Sequence, residues 1–163
     1  MHDSVRSIED LRSALEQQGL AEASAFWIDE ETGELCKCRP DYAAEFPAGD
    51  LLLDVKTYSS AAPGEFARQI GRKHYFQQDA LYTDGWAIAR GRPVLGFVFV
   101  AVEVEYPHVA TAITLDEESK AAGHDEYRRA LNLYAECRRT GHWPAYSAGV
   151  EVVSIPHYLK NIA

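Results

Sequence analysis

Two aspartates and a lysine in the N-terminal half of the chain have the types and spacing of a hydrolytic metal site. Asp41 follows a proline, and after twelve further residues an Asp-Val-Lys run begins at Asp54, directly behind three leucines. Because side chains alternate across a strand, Asp54 and Lys56 project from one face of a strand predicted over residues 51–57. If this strand pairs with the strand that Asp41 closes, the two carboxylates approach each other. Charged groups at the end of an apolar strand are costly unless they are used.

A pair of carboxylates suits Mg²⁺, which takes one or two of them and leaves its other positions to water and substrate phosphate. The backbone carbonyl of Val55 is a further candidate ligand. Lys56 would orient an attacking water and stabilise charge that develops on a phosphate oxygen. The alternative is a solvated surface salt bridge, which most Asp-x-Lys pairs form. The placement after three leucines, with Pro-Asp upstream, strengthens the nuclease hypothesis against that alternative.

Polar and aromatic side chains at helical spacing follow the motif. Residues three and four apart lie on one face of a helix, so a single helix here would carry one polar stripe. Arginine, tyrosine and glutamine suit contacts with phosphate and sugar. Without the neighbouring motif, a solvated helix face with half-buried tyrosines would be the preferred interpretation. The members of the stripe are Arg68, Arg72, Tyr75, Gln78 and Tyr82.

The elements that must position these residues are strands and helices in mixed order. The fold class that follows is α/β, with helices against a mixed central sheet in a single domain over residues 1–163. Strands are predicted at 24–28, 34–39, 51–57, 94–104, 108–114 and 150–155, the first two as a hairpin. Helices are predicted at 7–18, from Pro63 through Trp86 with Gly71 as a candidate break, and from Asp116 to Arg139 with Tyr127, Ala130, Leu131, Tyr134 and Cys137 buried.

Composition excludes several classes of protein. The chain has 163 residues, of which 47% are apolar and 25% charged, as in soluble globular domains. The longest apolar run, residues 94–102, is about half of a membrane span, so no membrane partner is expected. The three cysteines, Cys36, Cys38 and Cys137, have no CxxC spacing, which argues against a disulfide framework or a zinc knuckle. No secretory signal is recognisable, and the cytoplasm is the expected compartment.

The net charge of −9 argues against binding of nucleic acid by bulk positive charge. The acidic excess lies in the two ends of the chain, however. Residues 37–92 are balanced, with eight Lys and Arg against seven Asp and Glu. An anionic substrate is therefore expected to bind in the middle of the sequence.

Successive blocks of the sequence resemble the RecE-type exonucleases of the PD-(D/E)xK nuclease superfamily, which are mostly carried by phages and prophages. The resemblance covers about residues 20–157, and the blocks occur in the family's order. They are Glu22–Trp27, Leu35–Asp41, Leu53–Thr57, Phe66–Ile70, Tyr75–Gly85, Glu126–Ala130 and Gly141–Pro144.

The resemblance implies a restriction-endonuclease-like core and an ATP-independent exonuclease that digests linear duplex DNA from the 5′ end. It implies Mg²⁺ as cofactor, with Mn²⁺ as an alternative ion. It also implies DNA and a single-strand annealing recombination protein as partners, and a homo-oligomer as an assembly found among relatives. The N-terminal region of residues 1–20, predicted to be helical, is shorter than in the family, so the site could need a partner to complete it.

Residue by residue, the resemblance assigns roles to positions of this sequence. It makes Asp41 and Asp54 metal ligands, Lys56 the catalytic lysine, and Gln78 the residue that helps to place substrate or the nucleophilic water. Tyr75 and Tyr82 would line the site, and Glu22 is a weaker candidate for an upstream acid.

Two other hypotheses stand beside the exonuclease. One is a nuclease-fold binding module that docks on DNA or on a recombination or host-defence protein without catalysis. The other is an endonuclease or junction resolvase of the same superfamily. Binding of Mg²⁺ distinguishes an enzyme from the first, and nicking of covalently closed circular DNA identifies the second.

Overall fold

A five-stranded mixed sheet forms the centre of the computed structural model, which describes residues 2–157. Seven strands are present among those residues: β1 (Gly19–Ala21), β2 (Ala25–Ile28), β3 (Leu35–Cys38), β4 (Tyr42–Phe46), β5 (Gly49–Tyr58), β6 (Val94–Glu103) and β7 (Ala110–Ile113). Five helices accompany them in the same part of the chain: α1 (His2–Arg6), α2 (Glu9–Glu16), α3 (Pro63–Lys73), α4 (Tyr75–Arg90) and α5 (Glu117–Thr140).

The sheet has the strand order β1-β4-β5-β6-β7, and β2 and β3 form a separate antiparallel hairpin. β5 pairs antiparallel with β4 and parallel with β6, and α3 and α4 make the crossover between the two parallel strands. β5 and β6 are long apolar runs because they are covered on both faces, as parallel strands usually are. The predicted α/β class with a mixed central sheet and flanking helices is confirmed.

Each face of the sheet has its own core. On one face, Phe97 and Phe99 of β6 pack with Phe66 of α3 and Trp86 of α4. On the other face, α2 buries Leu11 and Ala14 against Ala44, Leu53, Val100 and Val102. Because Asp54 alternates with Leu53 along β5, it points to the face that α3 and α4 cover.

α4 is the central helix on that face, and it lies close to its neighbours. A Cβ on Gly85 would come within 2.1 Å of the Trp27 ring in the hairpin. A Cβ on Gly123 of α5 would come within 2.1 Å of the Phe76 carbonyl oxygen. Glycine at these two positions lets the hairpin and α5 approach α4 from two sides.

Several predicted elements differ in the structure. The predicted helix over residues 7–18 is present as α2, which is shorter than expected at Glu9–Glu16, and the unexpected helix α1 precedes it at His2–Arg6. The long central helix is interrupted at His74, which is left-handed at φ 54°, rather than at Gly71. β1 and β4 were not expected from the sequence.

The C-terminal predictions were partly wrong. Residues 150–155 form no strand, because no edge of the sheet pairs with them and an alternating β-branched run needs such a partner. In α5, Cys137 is buried and Tyr127 is half-buried as expected, but Ala130 and Tyr134 are exposed because α5 covers α4 along a narrow stripe only. The ends of the predicted domain, residues 1 and 163, lie outside the described residues. Across residues 2–157, no helix is both long and apolar enough to cross a membrane.

Candidate functional site

The Asp41 carboxylate lies at the free edge of β5. β4 ends its pairing with β5 at Tyr42 and Leu53, and β5 continues beyond that point without a partner on this side. Asp41 immediately precedes β4, and its Oδ2 accepts a hydrogen bond of 2.6 Å from the backbone N–H of Val55. The carboxylate therefore sits at the strand position between Asp54 and Lys56.

The strand that places Asp41 beside β5 differs from the predicted one. We expected Asp41 to approach Asp54 from a strand at residues 34–39, but that strand, β3, pairs with β2 instead. The strand that brings Asp41 to β5 is β4, which starts one residue later. The two carboxylates are neighbours as expected, and a different pair of strands makes them so.

Asp54 is a buried carboxylate with incomplete hydrogen bonding. Only 4% of the residue is exposed, and its Oδ1 accepts a hydrogen bond of 2.7 Å from Gln78 Nε2. The Lys56 ammonium contacts Oδ2 as an ion pair, but outside hydrogen-bond geometry, so Oδ2 accepts no hydrogen bond. Burial raises the pKa of Asp54, and the Asp41 carboxylate raises it further, while Lys56 and Gln78 act in the opposite direction.

Lys56 is held by an aromatic ring as well as by Asp54. Its Nζ lies 4.8 Å from the centre of the Tyr75 ring, within cation–π range. Tyr75 is itself fixed, because its ring stacks on Phe99 at a centroid distance of 5.8 Å. The Lys56 side chain is 21% exposed, which leaves its ammonium accessible from the site.

α4 contributes Tyr75, Gln78 and Tyr82 to one side of the site. Tyr82 is half-buried and meets the edge of the Phe97 ring at 6.1 Å. Burial raises the pKa of the Tyr82 hydroxyl, and the nearby Asp54 carboxylate adds to the shift. The structure thus brings these three predicted residues together with Asp41, Asp54 and Lys56.

The two arginines of the predicted stripe lie on a different helix. Arg68 and Arg72 belong to α3, which the left-handed His74 separates from α4, so the single continuous stripe was wrong. Both side chains are exposed, and Arg68 forms an ion pair with Glu65 of the same helix. Their role as DNA contacts stays a prediction.

Glu22 lies next to Asp41 through the backbone. Its N–H donates a hydrogen bond of 3.0 Å to the Asp41 carbonyl oxygen. Its side chain is exposed and forms an ion pair with Arg39 at 3.2 Å between Oε2 and Nε. Glu22 also has a left-handed backbone, with φ at 51°. An acidic role for it stays a prediction.

The donor set of the site fits a hard cation with few protein ligands. Among residues 2–157, no group of three or more His, Cys, Asp and Glu side chains is arranged for a metal. The carboxylates at the site are those of Asp41 and Asp54. Two carboxylates are what Mg²⁺ commonly takes. The N–H and C=O of one strand residue point to the same side. The Val55 carbonyl therefore faces the free edge, and Asp54 Oδ2, which the Lys56 ammonium contacts as an ion pair, supplies a further acceptor.

A cleft beside these residues was not foreseen from the sequence. It has a volume of about 500 Å³ and lies between α4, α5 and β3. Lys37 of β3 is one of its walls, and its other walls come from distant parts of the chain. Its lining is Cys36, Lys37, Lys73, His74, Gln77, Gln78, Leu81, Tyr82, Tyr127, Ala130 and Leu131.

The fold and this arrangement of side chains define a PD-(D/E)xK-like domain. The chain belongs to the family described as a PDDEXK-like domain of unknown function (DUF3799), whose model matches residues 1–156. A comparison with curated proteins gives no match.

The fold recurs in a solved structure. A crystal structure described as a putative exonuclease from Eubacterium rectale matches with a TM-score of 0.57 and 14% identity, over 91% of this chain and 60% of that one. This chain therefore spans about 60% of the length of that structure. A more distant crystal structure, named SSO0001, matches with a TM-score of 0.43 and 15% identity over 76% of this chain and 55% of that one.

Proposed function

We propose that this protein is a Mg²⁺-dependent, ATP-independent DNA exonuclease of the RecE type. In this proposal it hydrolyses phosphodiester bonds of linear duplex DNA from the 5′ end and supplies 3′ overhangs for single-strand annealing recombination. The observation that carries the proposal is the convergence of Asp41, Asp54 and Lys56 at the free edge of β5. The exonuclease description of the Eubacterium rectale structure supports the mode of attack.

Each residue of the site has a role in this proposal. Asp41, Asp54 and the Val55 carbonyl would hold Mg²⁺ or Mn²⁺. When bound, the ion supplies Lewis-acid activation of water and of the scissile phosphate. Lys56 would stabilise negative charge on the phosphate oxygens in the transition state. Gln78 orients the Asp54 carboxylate through its 2.7 Å hydrogen bond.

The wider assignments are part of the same proposal. Arg68, Arg72, Tyr75 and Tyr82 would contact the substrate or line its path, and Glu22 would add a nearby acid. A single-strand annealing protein and a homo-oligomer are the proposed partners, and the cytoplasm is the proposed compartment.

Substitution of Lys56 by alanine tests the proposal. We expect Lys56→Ala to lower kcat on linear duplex DNA by roughly 10²–10³, which is typical for loss of one transition-state charge partner. Release of nucleotides from end-labelled DNA in Mg²⁺ is the measurement. Arg139→Ala, which removes an exposed positive charge near the end of α5, is the charge-matched control and should keep full activity.

Three outcomes would contradict this assignment. Folded wild-type protein that leaves linear and single-stranded DNA intact in both Mg²⁺ and Mn²⁺ would favour the binding module. Nicking of covalently closed circular DNA would favour an endonuclease or resolvase, since an exonuclease needs an end. Full activity of Lys56→Ala would remove that residue from the mechanism.

A further inference from the structure

The cleft between α4, α5 and β3 opens directly beside the carboxylate pair. Gln78 makes the connection, because its side chain lines the cleft and its amide donates to Asp54 Oδ1. Tyr82 also borders the cleft, and the nearby Asp54 carboxylate contributes to the raised pKa of its hydroxyl. A group bound in the cleft would therefore lie next to the site at which a phosphodiester is proposed to be cut.

Two uncompensated lysines line this cleft. Lys37 comes from β3 and Lys73 from the end of α3, and neither forms an ion pair within the part of the chain that the structure describes. Glu126 of α5 lies at this end of the cleft, and it is already engaged by His74 at 3.0 Å and by Gln77. In a chain of net charge −9, two free ammonium groups that converge on one cleft favour an anionic ligand.

The walls of the cleft are flat and largely apolar. Tyr82 and Tyr127 provide aromatic surfaces, and Leu81 and Leu131 provide aliphatic ones. Tyr127 is fixed by the hydrogen bond that its hydroxyl donates to Asp84. Aromatic surfaces combined with lysines are the usual means of binding single-stranded nucleic acid, because bases stack on the rings and phosphates bind the cations.

The volume of the cleft favours a single strand of nucleic acid over a duplex. A volume of about 500 Å³ is that of a small-molecule pocket and accommodates a nucleotide. A cleft of this volume encloses groups of one strand and not the two paired strands of a duplex. A second cavity of about 380 Å³ shares Lys37 and Tyr82 with the cleft, and Ser24, Cys38 and Arg39 complete its lining.

We infer that the α4–α5 cleft binds an unpaired nucleotide of the strand that is hydrolysed, an inference that rests on the proposed nuclease function. The second cavity continues the path, so Tyr82 lies between two consecutive nucleotides and Lys37 contacts the phosphate between them. The substrate at this site is consequently an opened or single-stranded DNA end. Intact duplex must be unpaired before it enters.

Binding of a short fluorescein-labelled oligothymidylate, followed by fluorescence anisotropy, tests the cleft without turnover. Ca²⁺ replaces Mg²⁺, and the oligonucleotide is checked for integrity afterwards. We expect the double variant Lys37→Ala/Lys73→Ala to bind at least tenfold more weakly. The slope of log K against log salt should also become shallower by about 1.4, because each single-strand phosphate contact contributes about 0.7. The double variant Arg12→Ala/Arg139→Ala removes the same charge from two exposed positions outside the cleft and should bind as the wild type does.

Obstruction of the cleft gives a second, independent readout. Ala130 is exposed on the cleft wall, so Ala130→Trp fills the space without disturbing the core. We expect the wild type to act faster on a duplex with an unpaired 5′ end than on a blunt one, and Ala130→Trp to lose this preference. Retention of both the preference and the oligothymidylate affinity in the cleft variants would overturn the inference.

Different results would contradict the proposed cleft and the proposed nuclease function. Wild-type protein that degrades DNA while Lys37→Ala/Lys73→Ala binds like its charge-matched control would reject the cleft and leave the nuclease intact. Cleft-dependent binding without any hydrolysis in Mg²⁺ or Mn²⁺ would reject the nuclease and leave a single-strand binding site.

Discussion

Asp54 lies at the centre of the site, and burial of its carboxylate destabilises the folded protein. The residue is almost fully buried, its Oδ2 accepts no hydrogen bond, and its pKa is raised chiefly by burial. A raised carboxyl pKa means that the charged form opposes folding at neutral pH. Such a cost at one residue is expected where function, rather than stability, requires the charge.

Mg²⁺ is therefore expected to stabilise the fold through Asp54. At a Mg²⁺ concentration of 100 times Kd, a site that exists only in the folded state adds about 2.7 kcal/mol. For a chain of this length that corresponds to a rise in Tm of roughly 5–10 °C. Thermal melts with and without Mg²⁺ should show this rise for the wild type and none for Asp54→Asn. Asp79→Asn, which changes a buried aspartate outside the site, should keep it; an equal rise in Asp54→Asn would place the ion elsewhere.

Tyr75 is expected to position Lys56 through its ring rather than its hydroxyl. A cation–π contact of this kind contributes about 0.5–2 kcal/mol. Tyr75→Leu should therefore lower kcat by roughly twofold to thirtyfold with little change in KM, because the lysine loses its support while the metal ligands remain. Tyr75→Phe keeps the ring and should stay close to wild type. If steady-state kinetics on linear DNA show equal losses in both variants, the hydroxyl is the group that matters.

At the scale of elements, the sequence predicted the strand that carries the motif but not its neighbour. β5 is recognisable from its leucines, and the hairpin from its alternation around a turn. β4 is short and alanine-rich, and alanine has little preference for strands, so Tyr42–Phe46 gave no signal by composition. The Pro-Ala-Gly run at residues 47–49 was the available indication of a turn between β4 and β5.

The sequence also predicted the break between α3 and α4 at the wrong residue. Glycine is the usual residue at a left-handed helix end, so Gly71 was the natural candidate. The structure uses His74 instead, whose Nδ1 lies 3.0 Å from Glu126 Oε2 on α5. A contact with a helix about fifty residues away decides the conformation, and local sequence does not contain that information.

The interface between α4 and α5 contains a second destabilising carboxylate. Asp79 is 2% exposed, and its Oδ2 accepts no hydrogen bond, while its Oδ1 is 3.3 Å from the Thr83 hydroxyl. Lys120 and Glu117 of α5 face it, together with Asp84 of α4. Burial raises the pKa of Asp79 from 3.8 to about 6, and Lys120 only partly offsets this.

Asp79→Asn is accordingly expected to stabilise the protein at neutral pH. Between about pH 4 and 6 the unfolded state loses its proton first, so the unfolding free energy falls as pH rises through this window. Two pKa units correspond to about 3 kcal/mol, which is the most that the substitution can restore above pH 6. Melts across the pH range should show the gain above pH 6 and its disappearance near pH 4. Asp125→Asn, at an exposed position of α5, is the control; a pH-independent gain would assign the effect to packing.

At the scale of the whole molecule, the acids of α2 and the candidate site lie on opposite faces of the sheet. The face covered by α3 and α4 carries the site and the two free lysines of the cleft. α2 covers the opposite face and adds exposed acids there, among them Glu9, Asp10 and Glu16. A protein with a net charge of −9 can therefore still present a site that suits an anionic substrate. The balanced charge of residues 37–92 indicated this, whereas the net charge alone argued against binding of nucleic acid.

The acids of α2 are expected to slow the approach of DNA without affecting its final contacts. Exposed charges act over a Debye length of about 10 Å at 0.1 M salt and about 30 Å at 0.01 M. The triple variant Glu9→Gln/Asp10→Asn/Glu16→Gln should therefore raise the association rate with single-stranded DNA by roughly twofold to fivefold at low salt and leave the dissociation rate unchanged. Stopped-flow fluorescence at a series of salt concentrations measures both rates, and the advantage should vanish near 0.5 M. A changed dissociation rate would mean that DNA contacts the α2 face directly, and the separation of the two faces would then be wrong.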